Sequence, residues 1–406
     1  MPDVLHIQEH GHTGYGTIMD YGKHFAGVQG QYDGFGALIE VAARIKSCVS
    51  IPVGAVGAMD PRVTPDLIDR AIADGKMDYI LVTRPLMADP QYCNKLQAGQ
   101  KEDIAPCTRC MTCFVAPYDF GMPMYCRVNA SLTRAFTPDM PEGYDPLPAE
   151  PKQKVLVIGG GPAGMEAARI AAQRGHTVTL LEKEDGLGLT LRELAAIKGP
   201  HERIADHLNY LLHQLNKYGV TVRTGVTVTA ETVKAEAPDS VIVAVGGCYA
   251  QLDIPGFEHV QPANALPKAT NRALFDELTA AGMHVFAVGD CYSPSTIANA
   301  VARANIVARN VEKQQQTATA LAGDQVYTAT ATGIGDVTVS IRVEGGQITE
   351  ALVDTANETQ GIGRELGEQF AREIVEKHSI DAVSGATVTT NAANQALAQC
   401  LKQAGL

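Results

Sequence analysis

Four cysteines lie close together in the sequence, at Cys107, Cys110, Cys113 and Cys126. Thiolates are soft ligands, and four of them on a short segment favour a [4Fe–4S] cluster or a tetrahedral zinc ion. Zinc sites usually pair two Cys-x2-Cys knuckles, whereas three closely spaced cysteines and a distant fourth suit a cubane cluster. The chain holds nine cysteines, and an odd number argues against a full disulfide framework. The spacing therefore predicts a [4Fe–4S] site, with zinc and disulfides as the alternatives.

A glycine-rich turn with Gly159, Gly161 and Gly164 follows an apolar strand candidate and precedes a helix candidate. Glycines allow the tight turn and let a pyrophosphate approach the amino terminus of the helix. Glu182 follows the next strand candidate, where a carboxylate accepts hydrogen bonds from ribose hydroxyls. Strand, turn, helix and acid in this order predict a dinucleotide site. The alternative is a glycine turn in a βαβ unit that binds no ligand.

A later strand candidate ends in Gly289 and Asp290, ahead of another helix candidate. This pair resembles the two-dinucleotide flavoproteins, and the resemblance implies that Asp290 contacts the ribityl chain of FAD. The alternative is an acid that only favours the amino terminus of a helix. Members of that family insert a second, NAD(P)H-binding Rossmann unit before this strand, and no second glycine fingerprint is found there. The usual nicotinamide site is therefore expected to be absent.

A run of small residues precedes a helix candidate near the end of the chain and includes Asp381, Ser384, Gly385, Ala386 and Thr387. Free amides before a helix make an anion site, and Thr387 offers a hydroxyl inside it, whereas the alternative is a simple capping segment. The run resembles the flavinylation motif of the FMN-binding domain found in urocanate and fumarate reductase-like flavoenzymes and in sodium-pumping NADH:quinone oxidoreductase. The resemblance implies that Thr387 carries FMN as a phosphoester placed by a flavin transferase. It also implies that residues 358–363 lie near this flavin.

The cysteine spacing, with Arg84 before it and the glycine-rich fold after it, resembles trimethylamine dehydrogenase and 2,4-dienoyl-CoA reductase. Those enzymes join an old-yellow-enzyme barrel to a cubane cluster and a dinucleotide domain. The resemblance covers residues 1 to about 312 and implies that the sequence begins near the sixth strand, so that the barrel is partial. It further implies that Gly57 and Arg84 follow the seventh and eighth strands and hold the phosphate of a second FMN. The alternative for Arg84 is a surface ion pair.

Composition excludes several classes of protein. The 406 residues include 33 Lys and Arg against 45 Asp and Glu, a formal charge of −12, which argues against nucleic-acid and anionic-membrane surfaces. Aromatic residues make up 5% and tryptophan is absent, so stacked-base or carbohydrate platforms are not expected. No apolar stretch of about 20 residues and no signal peptide is visible, which predicts a cytoplasmic protein without a membrane span. His6, His10 and His12 are expected in a polar loop rather than a metal site.

The elements that must position these residues predict an α/β protein. Short apolar runs alternate with amphipathic helices before the cysteines, which indicates part of a (β/α) barrel. A Rossmann-like unit follows a proline-rich segment, and alternating apolar residues near the end predict a small α+β domain. The expected order begins with the C-terminal part of a barrel (residues 1–100), an iron–sulfur segment (101–136) and a linker (137–153). An FAD domain that lacks the inserted NAD(P)H unit (154–313), a second linker (314–325) and an FMN-binding domain (326–406) follow.

These features together predict an oxidoreductase that passes electrons between FAD, a [4Fe–4S] cluster and FMN. The resemblance implies reduction of activated C=C bonds of the enoate or enoyl type. The alternative is a non-catalytic or incomplete electron-transfer module. The expected partners are a small-molecule substrate or an electron-transfer protein, and a flavin transferase for maturation. The open edges of a partial barrel also leave room for an oligomer.

Overall fold

The computed structural model divides into two compact units, Met1–Lys313 and Gln314–Leu406. The second of the predicted linkers begins where the first unit ends. None of the helices in the described residues combines the length and the apolar character that a membrane span requires. The structure describes residues 5–7, 36, 38–57, 59–120, 123–137, 140–198, 202–249, 268–294, 296–312, 325–332, 336–355, 366–381, 383 and 386–406.

The first unit opens with strands and helices that alternate, namely β1 Leu5–Ile7, α1 Ile39–Lys46, β2 Val53–Ala55, α2 Pro65–Ala73 and β3 Tyr79–Ile80. The strands are parallel and pair in the order β1, β2, β3. A Cβ at Gly54 in the middle strand would lie 2.2 Å from the Tyr79 ring, so a larger residue there would displace that ring. The predicted alternation of strand and helix is confirmed here, whereas its place in a (β/α) barrel stays a prediction.

Three short helices lead into and out of the cysteine loop, namely α3 Arg84–Ala88, α4 Tyr92–Gln97 and α5 Thr112–Phe120. Tyr92 is wholly buried, and its hydroxyl donates to the Asp60 carboxylate at 2.5 Å. Lys95 pairs with the buried Asp89 at 2.7 Å. These two bonds attach α4 to the loop after β2 and to the residue that follows α3, ahead of the first cysteine.

The dinucleotide-binding part comprises β4 Lys154–Ile158, α6 Pro162–Gln173, β5 Thr177–Leu181, α7 Leu189–Lys198, α8 Ile204–Lys217, β6 Thr221–Arg223, α9 Ala230–Glu236, β7 Ser240–Val243, β8 Gly247–Tyr249, β9 Lys268–Thr270, α10 Ala273–Ala280, β10 Val285–Ala287 and α11 Ile297–Ala308. Five strands form a parallel sheet in the order β10, β7, β4, β5, β6. The chain leaves β4 toward β5 and later returns to its other side at β7. Such a reversal opens a crevice at the carboxyl ends of the strands, as the Rossmann-like prediction requires.

The proline-rich segment predicted as an extended linker lies on the dinucleotide-binding part, where two buried arginines hold it. Arg309 directly follows α11 and is 4% exposed. It donates to the Glu142 carboxylate at 2.5 Å and to the Tyr144 carbonyl at 2.6 Å. Arg174 donates to the Leu147 carbonyl at 2.9 Å. The segment is therefore a packed part of the first unit rather than a free spacer.

We expect Arg309→Met to lower the free energy of unfolding of the first unit by about 3 kcal/mol, because it removes the buried Arg309 charge and leaves the half-buried Glu142 carboxylate without its partner. Urea unfolding followed by circular dichroism measures the loss. The control is Lys76→Ala, which breaks an exposed pair with Glu40 and should cost about 0–1 kcal/mol. Equal effects of the two substitutions would contradict a structural role of Arg309.

The second unit is an antiparallel sheet with two helices, namely β11 Val326–Thr332, β12 Asp336–Glu344, β13 Gln347–Asp354, α12 Gly367–Lys377 and α13 Thr387–Ala404. The strands pair in chain order, and the predicted turn between β12 and β13 places Gly345 and Gly346 at positive φ. Val337, Val339 and Ile341 are wholly buried, as their alternation predicts. They pack against apolar residues of α12 and α13, so the predicted α+β architecture is confirmed.

Candidate functional site

Four of the predicted dinucleotide-binding residues line one cleft at the carboxyl ends of the parallel strands. Gly159 and Gly161 follow β4, Glu182 follows β5, and Asp290 follows β10. The cleft has a volume of about 900 Å³. Pockets that bind small molecules and cofactors commonly have volumes of about 300–1,000 Å³. Residues distant in sequence thus meet where the motif requires them.

The glycines of the turn have different roles. Gly159 has φ of 107°, and a Cβ there would lie 2.3 Å from the Ala244 carbonyl oxygen. Gly164 lies in α6, and a Cβ there would lie 1.8 Å from the Gly159 carbonyl oxygen. Gly161 caps α6, and no atom lies within 4 Å of the position of its Cβ. Two glycines therefore allow strand and helix to approach, and the third leaves space where a pyrophosphate would meet the helix.

Glu182 is held in place by backbone amides. Its Oε2 accepts from the Gly160 N–H at 2.5 Å, and its Oε1 accepts from the Glu184 N–H at 2.9 Å. An ionised carboxylate has about four acceptor positions, so this geometry leaves capacity for ribose hydroxyls. The residue is therefore both fixed to the turn and able to accept from a ligand.

The cleft is completed by side chains that belong to no recognised motif. Leu189 and Leu194 of α7 line it, as do Val226 and Val228. Leu189 is 49% exposed and adds apolar surface to the cleft. An apolar wall suits a flat aromatic ring system. The helical spacing of α7 signals Leu194 in the sequence, whereas motif reasoning missed Val226 and Val228, which precede α9.

The four predicted metal-binding cysteines are free thiols of intermediate exposure. Cys113 lies in the first turn of α5, and the others lie on the loops before and after that helix. The Thr112 hydroxyl donates to Cys110 Sγ at 3.2 Å, and the Val128 N–H donates to Cys126 Sγ at 3.4 Å. Among the described residues, no three histidine, cysteine or acidic side chains are placed to hold one metal ion.

Burial dominates the pKa values of these thiols. It raises the pKa of Cys113 to about 11, and the charges of Cys107 and Cys110 add to the rise. It raises the pKa of Cys126 to about 12 against the effect of nearby backbone N–H groups. Burial also raises the pKa of Cys110, but the Arg127 charge and hydrogen bonds outweigh it, so this pKa is lowered. The four thiols thus lie within reach of one another's charge.

Backbone strain concentrates at the second of these cysteines. Cys110 stands between Arg109 and Met111, which both have φ of 59°. The left-handed conformation costs a residue with a side chain about 1–2 kcal/mol, and such costs persist chiefly at functional sites. The strained turn directs three cysteines to one region of the first unit.

The cysteine loop is tied directly to the dinucleotide-binding part. The Arg203 N–H donates to the Thr108 carbonyl at 3.0 Å. Arg127 pairs with Glu202 at 2.7 Å, and both side chains are largely buried. Both bonds reach the residues just before α8. Contacts between segments this far apart in sequence carry no local signal, and sequence reasoning missed them.

Arg84, predicted to hold an FMN phosphate, begins α3 beside the cysteine loop. Its Nη1 donates to Met111 Sδ at 3.0 Å. Burial raises the pKa of Cys107, and the Arg84 charge opposes that rise. Gly57 follows β2, where its carbonyl accepts from the Gly36 N–H at 2.9 Å. Neither Arg84 nor Gly57 lines the dinucleotide cleft, and their binding of a phosphate stays a prediction.

In the second unit, the predicted flavinylation run joins α12 to α13. Asp381 is exposed, pairs with Lys377 at 2.5 Å and donates its N–H to Glu373 at 2.8 Å. Ala386 is buried and caps α13, and Thr387 is the first residue of that helix. The predicted residues that lie outside the described part are Ser384, Gly385, 358–363, His10 and His12.

Two solved structures resemble the chain in fold. A 2-naphthoyl-CoA reductase in complex with 2-naphthoyl-CoA gives a TM-score of 0.59 at 22% identity, over 68% of this chain and 56% of that one. Histamine dehydrogenase from Rhizobium sp. 4-9 gives a TM-score of 0.63 at 19% identity, over 80% of this chain and 62% of that one. At these identities the likeness concerns the fold alone.

Curated relatives are more similar in sequence. NADH oxidase of Thermoanaerobacter brockii is 38% identical over 51% of this chain and 31% of the relative. Bilirubin reductase of Mediterraneibacter gnavus is 35% identical over 60% of this chain and 35% of the relative. Cinnamate reductase of Clostridium sporogenes is 33% identical over 54% of this chain and 31% of the relative. The matched part of the chain thus spans about a third of each relative.

Two family models also match the chain. The pyridine nucleotide-disulphide oxidoreductase model matches residues 153–279, which include the glycine turn and Glu182. The FMN-binding domain model matches residues 333–402, which include Thr387. The chain therefore joins a domain of the pyridine nucleotide-disulphide oxidoreductase family to an FMN-binding domain and is a homologue of flavin oxidoreductases that include NADH oxidase, bilirubin reductase and cinnamate reductase.

Proposed function

We propose that the chain is a flavin- and iron–sulfur-dependent oxidoreductase that uses FAD, a [4Fe–4S] cluster and FMN attached to Thr387. The observation that carries the proposal is the bonding of the four-cysteine loop to the dinucleotide-binding part through Thr108 and Arg127. When bound, the cluster supplies one-electron transfer and the flavins supply one- or two-electron transfer. Electron exchange between a cluster and a flavin needs a cysteine loop that is fixed to the flavin-binding domain.

The donor set supports a cluster over a single ion. Four thiolates, three of them closely spaced in sequence and the fourth more distant, suit a cubane, in which each thiolate binds a different iron. Burial is the main cause of the raised pKa values of Cys113 and Cys126, and the charges of Cys107 and Cys110 add to it, so the four thiols lie near one another. Cys107, Cys110, Cys113 and Cys126 would hold the cluster, with Thr112 and the Val128 amide donating to two of the sulfurs.

The dinucleotide cleft supports FAD. Gly161 leaves the approach to the α6 amino terminus open, and Glu182 can accept hydrogen bonds from the ribose. Asp290 lines the same cleft, and the resemblance implies that it contacts the ribityl chain of FAD. In the second unit, the amino terminus of α13 would face the phosphate that joins FMN to Thr387. A flavin transferase would be needed to form that bond.

For the whole protein, we propose reduction of a C=C bond conjugated to a carbonyl group. Two electrons from NADH and two protons would be added to the bond, in keeping with the names of the NADH oxidase and cinnamate reductase relatives. Gly57 and Arg84 would hold the phosphate of a second FMN at the ends of barrel strands.

A second candidate is an electron-transfer module that does not turn over substrate by itself. Its support is the short connection between β8 and β9, which comprises only residues 250–267. A βαβ unit needs about 30 residues or more, so a nicotinamide-binding Rossmann unit does not fit there. Electrons would then enter through another protein.

Anaerobic co-expression with a flavin transferase, followed by iron, sulfide and flavin analysis, tests the proposal. We expect about four iron and four sulfide per chain, with FAD released by acid and FMN retained by the protein. NADH consumption with cinnamate as acceptor separates the two candidates, because robust turnover excludes the module. Zinc without iron would show that the cofactor assignment is wrong.

A further inference from the structure

Arg303 of α11 contacts the chain on both sides of the turn that carries Asp290. That turn is a short 3₁₀ helix, Gly289–Cys291, which lies between β10 and α11. Arg303 Nε donates to the carbonyl of Ala287, the last residue of β10, at 3.2 Å. Its guanidinium carbon lies 3.4 Å from the centroid of the ring of Tyr292, which directly follows the turn. One half-buried side chain therefore joins the two ends of the turn.

Two other elements approach the same turn closely. A Cβ at Gly289 would lie 2.9 Å from the Cβ of Ala163 in α6, and a Cβ at Gly247 of β8 would lie 3.2 Å from the Asp290 Cβ. At such distances the turn cannot shift toward α6 or β8. Arg303 holds it from the side of α11, so the place of the Asp290 side chain in the dinucleotide cleft depends on the contacts that Arg303 makes.

The chemistry of arginine suits this double contact. A guanidinium group is planar, so it can stack on an aromatic ring while its edge donates hydrogen bonds. A hydrogen bond weakens steeply when donor and acceptor leave their preferred geometry. We propose that Arg303, acting with the Tyr292 ring, is a positioning residue that holds the Asp290 carboxylate where a hydroxyl of a bound dinucleotide can donate to it. The inference rests on the proposed binding of FAD and names the side chains that fix this acid.

The test is a double-mutant cycle on FAD affinity, followed by the quenching of flavin fluorescence. The full chain is expressed without a flavin transferase, so that FMN is not attached, and is freed of bound FAD before titration. We expect Arg303→Met to weaken FAD binding about tenfold, the effect of losing one hydrogen bond to a charged acceptor. In an Asp290→Ala background the same substitution should change FAD affinity less than about twofold, because the acid that Arg303 positions is gone.

Further variants separate geometry from charge. Arg303→Lys keeps the charge but loses the planar group and the Nε donor, so it should weaken FAD binding as much as Arg303→Met does. Tyr292→Leu removes the stacking contact from its other side, and the cycle with Asp290→Ala can be repeated with it. The control is Arg223→Met, which removes an arginine that pairs with Glu236 and does not line the cleft, and should leave FAD affinity unchanged.

The outcomes distinguish this inference from the proposed function. Equal weakening by Arg303→Met in the Asp290 and Asp290→Ala backgrounds would show that Arg303 has only a structural role and would overturn the inference alone. Full FAD affinity in Arg303→Met, or in Arg303→Lys, would overturn it too. If the unsubstituted chain does not bind FAD, the proposed occupant of the cleft is wrong as well.

Discussion

Thr387→Ala is expected to abolish covalent attachment of FMN to the chain. A phosphoester needs a hydroxyl, and Thr387 is the residue of the run that stands at the amino terminus of α13, where backbone N–H groups favour a phosphate. Intact mass after co-expression with a flavin transferase measures the result directly. The unsubstituted chain should gain one FMN, and the variant should gain none.

Two further variants make this result specific. Thr387→Ser keeps a hydroxyl and should retain at least part of the flavin mass. Thr390→Ala removes a buried hydroxyl that donates to the Ala386 carbonyl at 3.0 Å, so flavin attachment should be unchanged. A flavin mass that persists in Thr387→Ala would show that another residue is the acceptor.

The second large effect is expected from Gly164→Ala. The added Cβ would lie 1.8 Å from the Gly159 carbonyl oxygen, a distance that no pair of unbonded heavy atoms tolerates. Helix α6 must then move away from the turn that follows β4, which disrupts the surface on which the pyrophosphate would lie. We expect FAD affinity to fall by at least tenfold and the melting temperature of the protein to fall with it. Flavin fluorescence and differential scanning calorimetry measure the two effects.

Gly161→Ala provides the comparison. No atom lies within 4 Å of its Cβ position and φ is −74°, so the fold should accept alanine without strain. If the pyrophosphate lies over this glycine, FAD binding should weaken while the melting temperature stays unchanged. Unchanged FAD affinity in Gly161→Ala would place the pyrophosphate elsewhere in the cleft.

The features that sequence reasoning predicted well are local in the chain. The turn at Gly159 and Gly164, the strand before it and the acid at Glu182 lie within one βαβ unit, so their spacing alone specifies their geometry. The alternation of Val337, Val339 and Ile341 likewise fixes one face of a strand, and the Gly345-Gly346 turn fixes its pairing. Such signals are strong because few structures satisfy them.

The features that sequence reasoning missed depend on contacts between residues that are distant in sequence. The bond between Arg203 and Thr108 joins segments about a hundred residues apart, and nothing near either residue announces it. The resemblance predicts that Arg84 holds a phosphate, which stays a prediction, but it gave no sign of the hydrogen bond from Arg84 to Met111 of the cysteine loop. Side-chain partners of long charged residues are chosen by tertiary packing, and a single sequence does not encode them in any short pattern.

The packed proline-rich segment bears on how the dinucleotide-binding domain can be isolated. A fragment cut at the composition boundary, near residue 153, would keep Arg309 and Arg174 but discard the Glu142 carboxylate and the Leu147 carbonyl that receive their hydrogen bonds. Arg309 would then lose its charged partner, a cost of about 3–5 kcal/mol for a buried pair, whereas Arg174 would lose one carbonyl acceptor and keep its ion pair with Glu312. A fragment meant to fold by itself should therefore begin before residue 142, so that both acceptors are kept.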